Sequence, residues 1–218
     1  MIRKIETNEK AREKLLRGVE KLSNAVKITL GPKGRNVVID KMYLDPIVTN
    51  DGVTIAKQIE LEDEVEDAGA HILRGACTKT NDIAGDGTTT ATILAEKIFS
   101  EGLKCFNTGA NPILLRSGIK KATDFVVETM AKNVKPVKDN LSISQVATIS
   151  SGDKATGELI AKAFEQVGLD GVITIDDGNA MVSCLNVVNG TRINRGYISP
   201  YMCADQNKMV AELEDPYI

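Results

Sequence analysis

The sequence predicts a mainly α-helical chain with smaller α+β parts. Four long stretches in residues 1–132 repeat apolar side chains at helical spacing. The β-like runs are short and few: 36–40, 47–50, 172–175 and 185–188. Aromatic residues make up only 4% of the 218 residues and Trp is absent, so the core must be aliphatic, built from Ile, Leu, Val and Ala.

In chain order, residues 8–28 read as the first helix. Ala11, Leu15, Val19, Leu22 and Val26 form its stripe, and Thr7 or Asn8 caps it. Thr29-Leu30-Gly31-Pro32-Lys33-Gly34 breaks it with turn chemistry. Asn36–Asp40 and Ile47–Asn50 read as a hairpin whose loop contains Pro46, and Asp51-Gly52 reads as a tight turn after it. Glu60–Glu66 is an acidic run, read as a solvated surface. Val65, Gly69, Ile72, Ala76 and Ile83 mark a second long helix that ends near Ala84-Gly85. The third opens at Thr88, with Ala91, Leu94, Ala95 and Ile98 on one face and Gly102 as its stop. Asn111-Pro112 starts the fourth, which runs through Leu115, Ile119, Ala122, Val126 and Met130.

Val134-Lys135-Pro136-Val137-Lys138-Asp139-Asn140 is polar and contains a proline, which makes it the best boundary in the chain. Beyond it, 142–147 and 154–167 read as shorter helices separated by Ser151-Gly152-Asp153, and 172–175 and 185–188 read as strands. A second composition change follows Asn189-Gly190.

Gly85-Asp86-Gly87-Thr88-Thr89-Thr90 organises the rest. Two glycines flank a carboxylate, and three hydroxyls follow where a helix begins. The first N–H groups of a helix lack intrahelical partners and its dipole is positive there, so anions bind readily. Hydroxyls donate to phosphate oxygens, and a carboxylate suits Mg²⁺, which is usually held by one or two carboxylates plus substrate phosphates. Ordinary helix capping after a turn reads the hexapeptide equally well. It is not a Walker A loop, because no Gly-Lys-Ser/Thr follows the glycines. The Gly31-Pro32 turn, the Asp51-Gly52 turn and this loop each end a regular element. They either converge on one ligand or are simply connections.

Composition narrows the chemistry. Net charge is −3, which gives no reason to expect nucleic acid or an anionic membrane as partner. No apolar run reaches the roughly 18 residues of a transmembrane helix, and the N-terminus lacks the apolar core of a signal peptide. Cys77, Cys105, Cys184 and Cys203 are widely spaced without a Cys-x-x-Cys pair, which suggests reduced thiols in a cytoplasm rather than a zinc site. His71 is the sole histidine and falls in a helical pattern, so Ser-His or Cys-His catalysis is not expected.

The 29–38 segment Thr-Leu-Gly-Pro-Lys-Gly-Arg-Asn-Val-Val, Asp51-Gly52-Val53, Glu60-Leu61-Glu62-Asp63, Asn81-Asp82, Ala84 through Thr92, and Arg195-Gly196-Tyr197 with Ser199-Pro200-Tyr201 together resemble the group I chaperonins, the bacterial GroEL type. The resemblance is collinear over the whole chain. It implies that 1–132 is the first half of a helical equatorial ATP-binding domain. It further implies that 133–188 is the ascending half of an intermediate hinge domain, and that 189–218 begins an apical substrate-binding domain. It implies that Thr29, Leu30, Gly31 and Pro32 line ATP, that Asp86 holds Mg²⁺, and that Gly87, Thr88, Thr89 and Thr90 cradle phosphates. Asp51 would be catalytic, assisting the attacking water, and a potassium ion would lie near the Thr29 backbone. Tyr197, Tyr201 and Met202 would touch substrate or a co-chaperonin of the GroES type. The expected partners are other copies of the chain in a double heptameric ring, that co-chaperonin and unfolded client proteins.

The chain departs from the family pattern in two ways. Family members are much longer, and their returning half carries the principal catalytic Asp and a second glycine-rich nucleotide turn; neither has a match here. Locally, Met202 replaces a usual aromatic, Asn50 a frequent Lys, and Asn186, Asn189 and Asn194 residues that are often acidic. Two functions follow: an ATP-driven protein-folding machine, of which this chain is an incomplete copy, or a truncated interaction protein without ATPase activity.

Overall fold

The computed structural model describes residues 5–41, 44–168, 170–176, 182–188, 190, 196–204 and 210–212. The helical expectation holds: the described residues contain seven α-helices and one two-stranded sheet. They are α1 (Asn8–Lys27), β1 (Val37–Lys41), β2 (Leu44–Thr49), α2 (Gly52–Gln58), α3 (Glu64–Ala84), α4 (Thr88–Asn107), α5 (Pro112–Ala131), α6 (Asn140–Ser151) and α7 (Lys154–Val167). The chain divides into two compact units, 1–132 and 133–218.

The first unit is built on α1 and α3. Its core joins Val19, Leu22 and Val26 of α1 to Val53, Ile55 and Ala56 of α2 and to Ala70, Leu73 and Cys77 of α3. Each fully buried Leu or Ile contributes about 1.5–3 kcal/mol. The two long helices cross at glycines. A Cβ on Gly18 would lie 1.8 Å from the Glu66 carbonyl oxygen, and one on Gly69 would lie 2.3 Å from that of Leu15.

The acidic run 60–66 is solvated at Glu60, Glu62 and Glu64, as expected, but Asp63 and Glu66 are structural. Asp63 caps α3, accepting from Val65 N at 2.9 Å and Glu66 N at 3.2 Å, and pairs with Lys14 Nζ at 2.7 Å. Glu66 is 8% exposed and is held by Lys21 Nζ at 2.5 Å and Arg17 Nε at 3.6 Å. Asp67 accepts from Leu61 N. Charge repeats in sequence do not reveal that cations one helix away, on α1, will face them.

The Lys14 ammonium and the cap N–H groups hold Asp63 well below its ordinary value of 3.8. A carboxyl depressed by folding stabilises the fold fully above its unfolded value and loses that contribution as pH falls. Asp63→Asn is therefore expected to lower stability at pH 7 and to cost less near pH 2. Urea unfolding of both proteins at the two pH values measures this, and an equal deficit at both would contradict it.

The hairpin forms as expected, but Pro46 lies in β2 rather than in the loop. Val37 pairs with Thr49, Val38 with Val48 and Ile39 with Ile47, after which the register shifts so that Lys41 faces Leu44. Asp45 and Pro46 thus oppose Asp40 alone. The ladder is interrupted at the residue that has no N–H to donate. Asp51-Gly52 is likewise more than a turn, because Asp51 caps the short helix α2.

Helix α4 continues past Gly102 to Asn107. The helix stops instead at Thr108 and at Gly109, whose φ of +96° suits glycine. The buried face of α4 is polar: Thr88, Thr92, Glu96 and Ser100, four residues apart. They are satisfied locally, with Thr92 Oγ1 donating to the Thr88 carbonyl at 2.8 Å and Lys97 donating to Glu96 at 3.2 Å. The apolar stripe is divided: Ala95 packs against the core, whereas Leu94 and Ile98 are 57% and 49% exposed. In α5 no residue is buried, and Val126 and Met130 of its stripe are exposed. Periodicity identifies which face is apolar, not what covers it.

In the second unit α6 and α7 pack together, burying Ile143, Ala147, Ala161 and Ala163. Asp139 caps α6 and Asp153 caps α7, and the Ser142 and Thr156 groups that donate to them lower both carboxyl pKa values. Helix α6 starts two residues before the expected 142 and ends four after 147, at the boundary set by Gly152. The segments 172–175 and 185–188 are not strands. They run near the end of α7 and line a cavity of about 380 Å³, but no ladder joins them to any described residue. Alternation predicts an extended backbone, whereas a strand also needs a hydrogen-bonded neighbour. Asn189 and Asn194 lie outside the described residues.

Candidate functional site at the α4 N-terminus

Five helices begin in the same way: an Asp or Asn accepts hydrogen bonds from the first-turn N–H groups of α2, α3, α5, α6 and α7. α4 does not. Its N-cap is Gly87 at φ +78°, with no side-chain cap. Gly85 at φ +70° ends α3, so two left-handed residues bracket Asp86. A side chain at either position would be strained. The first-turn N–H groups of α4 are therefore left for something other than a capping side chain.

The elements around this end are brought in by specific contacts. Thr29, at the end of α1, donates through Oγ1 to the Val26 carbonyl, and the same oxygen lies 3.2 Å from Thr89 Oγ1. The first turn of α2 lies against Thr88 and Thr89. Two of the three turns thus meet the third. Leu30, Gly31 and Pro32 continue from Thr29 along an exposed loop that closes through Arg35 N donating to the Ile28 carbonyl.

Asp86 is exposed, and its Oδ1 accepts from Gly87 N at 2.6 Å. No ion pair among the described residues engages it. Its carboxylate thus has the chemistry and access that a Mg²⁺ ligand needs. Asp51 is more committed. Its Oδ1 accepts from Val53 N at 3.4 Å, and its Oδ2 from Thr54 N at 3.0 Å and Thr54 Oγ1 at 2.5 Å. These bonds fix its position at the edge of the corner. Near it lies Cys77, fully buried, and burial raises its thiol pKa above the ordinary 9.0. Cys77 was not singled out by the sequence, because nothing in its spacing separates it from a packing residue.

Tyr197, Tyr201 and Met202 belong to the second unit. Tyr201 and Met202 sit in a 3-10 turn, Pro200–Met202, with both side chains open to solvent. Tyr197 is half exposed, and its phenol oxygen accepts from Ala211 N at 2.9 Å. Arg195 lies outside the described residues.

Fold and corner together define a helical protein with a glycine-bracketed helix start open to an anion. The chain belongs to the TCP-1/cpn60 chaperonin family, whose model matches residues 22–218. Among solved structures, it is similar to a group III chaperonin crystallised in the open state, with 26% sequence identity and a TM-score of 0.60. The match covers 72% of this chain and 32% of that one, so the chain spans about a third of the length of that relative.

Proposed function

We propose that the chain is the nucleotide-binding portion of a group I type chaperonin that uses ATP hydrolysis to assist folding of non-native proteins. The observation that carries this reading is the helix start at Gly87–Thr90: uncapped, flanked by left-handed glycines, beside an open carboxylate and three hydroxyls. Mg-ATP fits it chemically. Phosphate oxygens would accept from the Thr88, Thr89 and Thr90 N–H and hydroxyl groups, and Asp86 would hold Mg²⁺. Thr29, Leu30, Gly31 and Pro32 would line the rest of the nucleotide, with a potassium ion beside the Thr29 backbone. Asp51, held by its own cap bonds, would orient water toward the terminal phosphate. Such chemistry depends mainly on positioning and charge stabilisation.

In this reading, residues 1–132 are the equatorial half-domain, 133–188 the hinge and 189–218 the start of the apical domain. Tyr197, Tyr201 and Met202 would meet clients or a GroES-type co-chaperonin. The partners are further copies in a double ring, and the setting is the cytoplasm, which suits four free thiols.

A second reading, an interaction protein without ATPase activity, is favoured by the open apolar faces of α4 and α5. Native mass and ATP turnover of the protein made in its own cell separate the two. A large double ring that hydrolyses ATP is expected. Monomers or mixed aggregates without turnover would support the second reading instead.

A further inference from the structure

We infer that Gly52 is a positioning residue for the phosphate corner: its missing Cβ is the slot that the Thr88 and Thr89 hydroxyls occupy, which seats Asp51 against α4. The inference rests on the nucleotide reading above and adds a residue to it. Gly52 is buried. A Cβ there would lie 2.7 Å from Thr89 Oγ1, 2.9 Å from Thr88 Oγ1 and 3.2 Å from Thr89 N. A carbon cannot approach a hydroxyl oxygen that closely without displacing it.

The backbone supplies no other reason for glycine at this position. The described glycines with left-handed φ are Gly31, Gly85, Gly87, Gly109, Gly152, Gly168 and Gly190, and Gly52 is not among them. Capping does not require it either, because the Asp51 carboxylate caps α2. Room is the remaining demand.

That room has consequences on both sides. Thr89 Oγ1 also meets Thr29 Oγ1 at 3.2 Å, so a Thr89 side chain pushed aside would break its link to the end of α1. On the core side, Thr88, Thr92 and Cys77 are all buried, which leaves Thr88 little room to retreat inward. The alternative is that the first turn of α2 backs away and takes the Asp51 carboxylate with it. Either movement separates groups that must act on one phosphate, and small misplacements of this kind are costly to catalysis.

The test is a double-mutant cycle on the intact protein, with Mg-ATP affinity measured by calorimetry for the unsubstituted protein, Gly52→Ala, Thr89→Ala and the double variant. Gly75→Ala is the control, because Gly75 is an exposed glycine inside α3 with nothing within 4 Å of a Cβ. Gly52→Ala is expected to weaken Mg-ATP about tenfold or more, and to cost less in the Thr89→Ala background, where the nearer of the two displaced hydroxyls is already gone. The same non-additivity is expected in thermal midpoints, which keeps the cycle readable if Gly52→Ala folds poorly. Gly75→Ala should leave affinity unchanged. Equal losses in both backgrounds, or normal affinity of Gly52→Ala, would overturn the inference alone. Failure of the unsubstituted protein to bind Mg-ATP would overturn both it and the nucleotide reading.

Discussion

Gly18→Ala is expected to unfold the first unit at temperatures where the unsubstituted protein is stable. The added Cβ would sit 1.8 Å from the Glu66 carbonyl oxygen and 2.6 Å from its carbonyl carbon. Both are backbone atoms of α3, so no side chain can swing aside to make room. The helices must part, and parting opens the contact that buries Leu22, Val26, Leu73 and Cys77. It also pulls Lys21 and Arg17 away from Glu66, leaving a carboxylate only 8% exposed without its cations. Two effects oppose each other here. Alanine is the better helix former by about 1 kcal/mol. Overpacking costs typically about 1–3 kcal/mol and more where backbone must move, and the loss of the Lys21 and Arg17 pairs to Glu66 adds to that cost. The clash wins and consumes a large share of the 5–15 kcal/mol typical of a domain. Gly75→Ala, on the open side of α3, isolates the propensity effect and is expected to raise stability slightly. Thermal unfolding followed by circular dichroism measures both. A Gly18→Ala melt within a degree or two of the parent would mean that the helices do not cross as described.

Asp86→Ala is expected to abolish useful Mg-nucleotide binding while leaving the fold intact. The side chain is exposed, and its hydrogen bond is to Gly87 N, its own neighbour in the chain. It caps no helix interior and joins no ion pair among the described residues, so its removal should cost little stability. Its proposed task is different: to supply the carboxylate that a hard cation shared with phosphates requires. Loss of a charged ligand worth about 3 kcal/mol corresponds to roughly 100-fold in affinity. Calorimetry with Mg-ATP, and with ATP in the presence of a chelator, distinguishes a lost metal contact from a general loss of the site. The variant should resemble the parent in chelator and differ from it in magnesium. Undiminished Mg-ATP affinity would refute the metal assignment of Asp86.

These two glycine and carboxylate positions differ in how far the sequence reveals them. Asp86 is legible because glycines, a carboxylate and three hydroxyls stand together at a helix start, a local pattern with a local cause. Gly18 is not legible: inside an amphipathic helix it looks like a mild defect, and only the approach of the α3 backbone makes it a requirement. Gly52 is intermediate. The Asp-Gly pair reads as a turn, and the capping bonds of Asp51 to Val53 and Thr54 are local, but the Thr88 and Thr89 hydroxyls beside Gly52 come from a segment some 36 residues away in sequence. The roles of Asp63 and Glu66 within the acidic run are hidden for the same reason, since Lys14, Arg17 and Lys21 lie on another helix.

By itself the sequence determined the described helices other than α2, most of their ends, the hairpin and the chaperonin family, because those depend on periodicity, capping residues and motifs read within a few positions of each other. Tertiary structure alone decided that α4 turns a polar stripe of Thr88, Thr92, Glu96 and Ser100 inward while Leu94 and Ile98 stay exposed. It alone decided that 172–175 and 185–188 lack a ladder, that Gly102 does not stop a helix, and that Thr29 reaches Thr89. The physical reason is range: hydrogen bonding within a helix is local, whereas burial and side-chain partnership depend on which distant surface arrives.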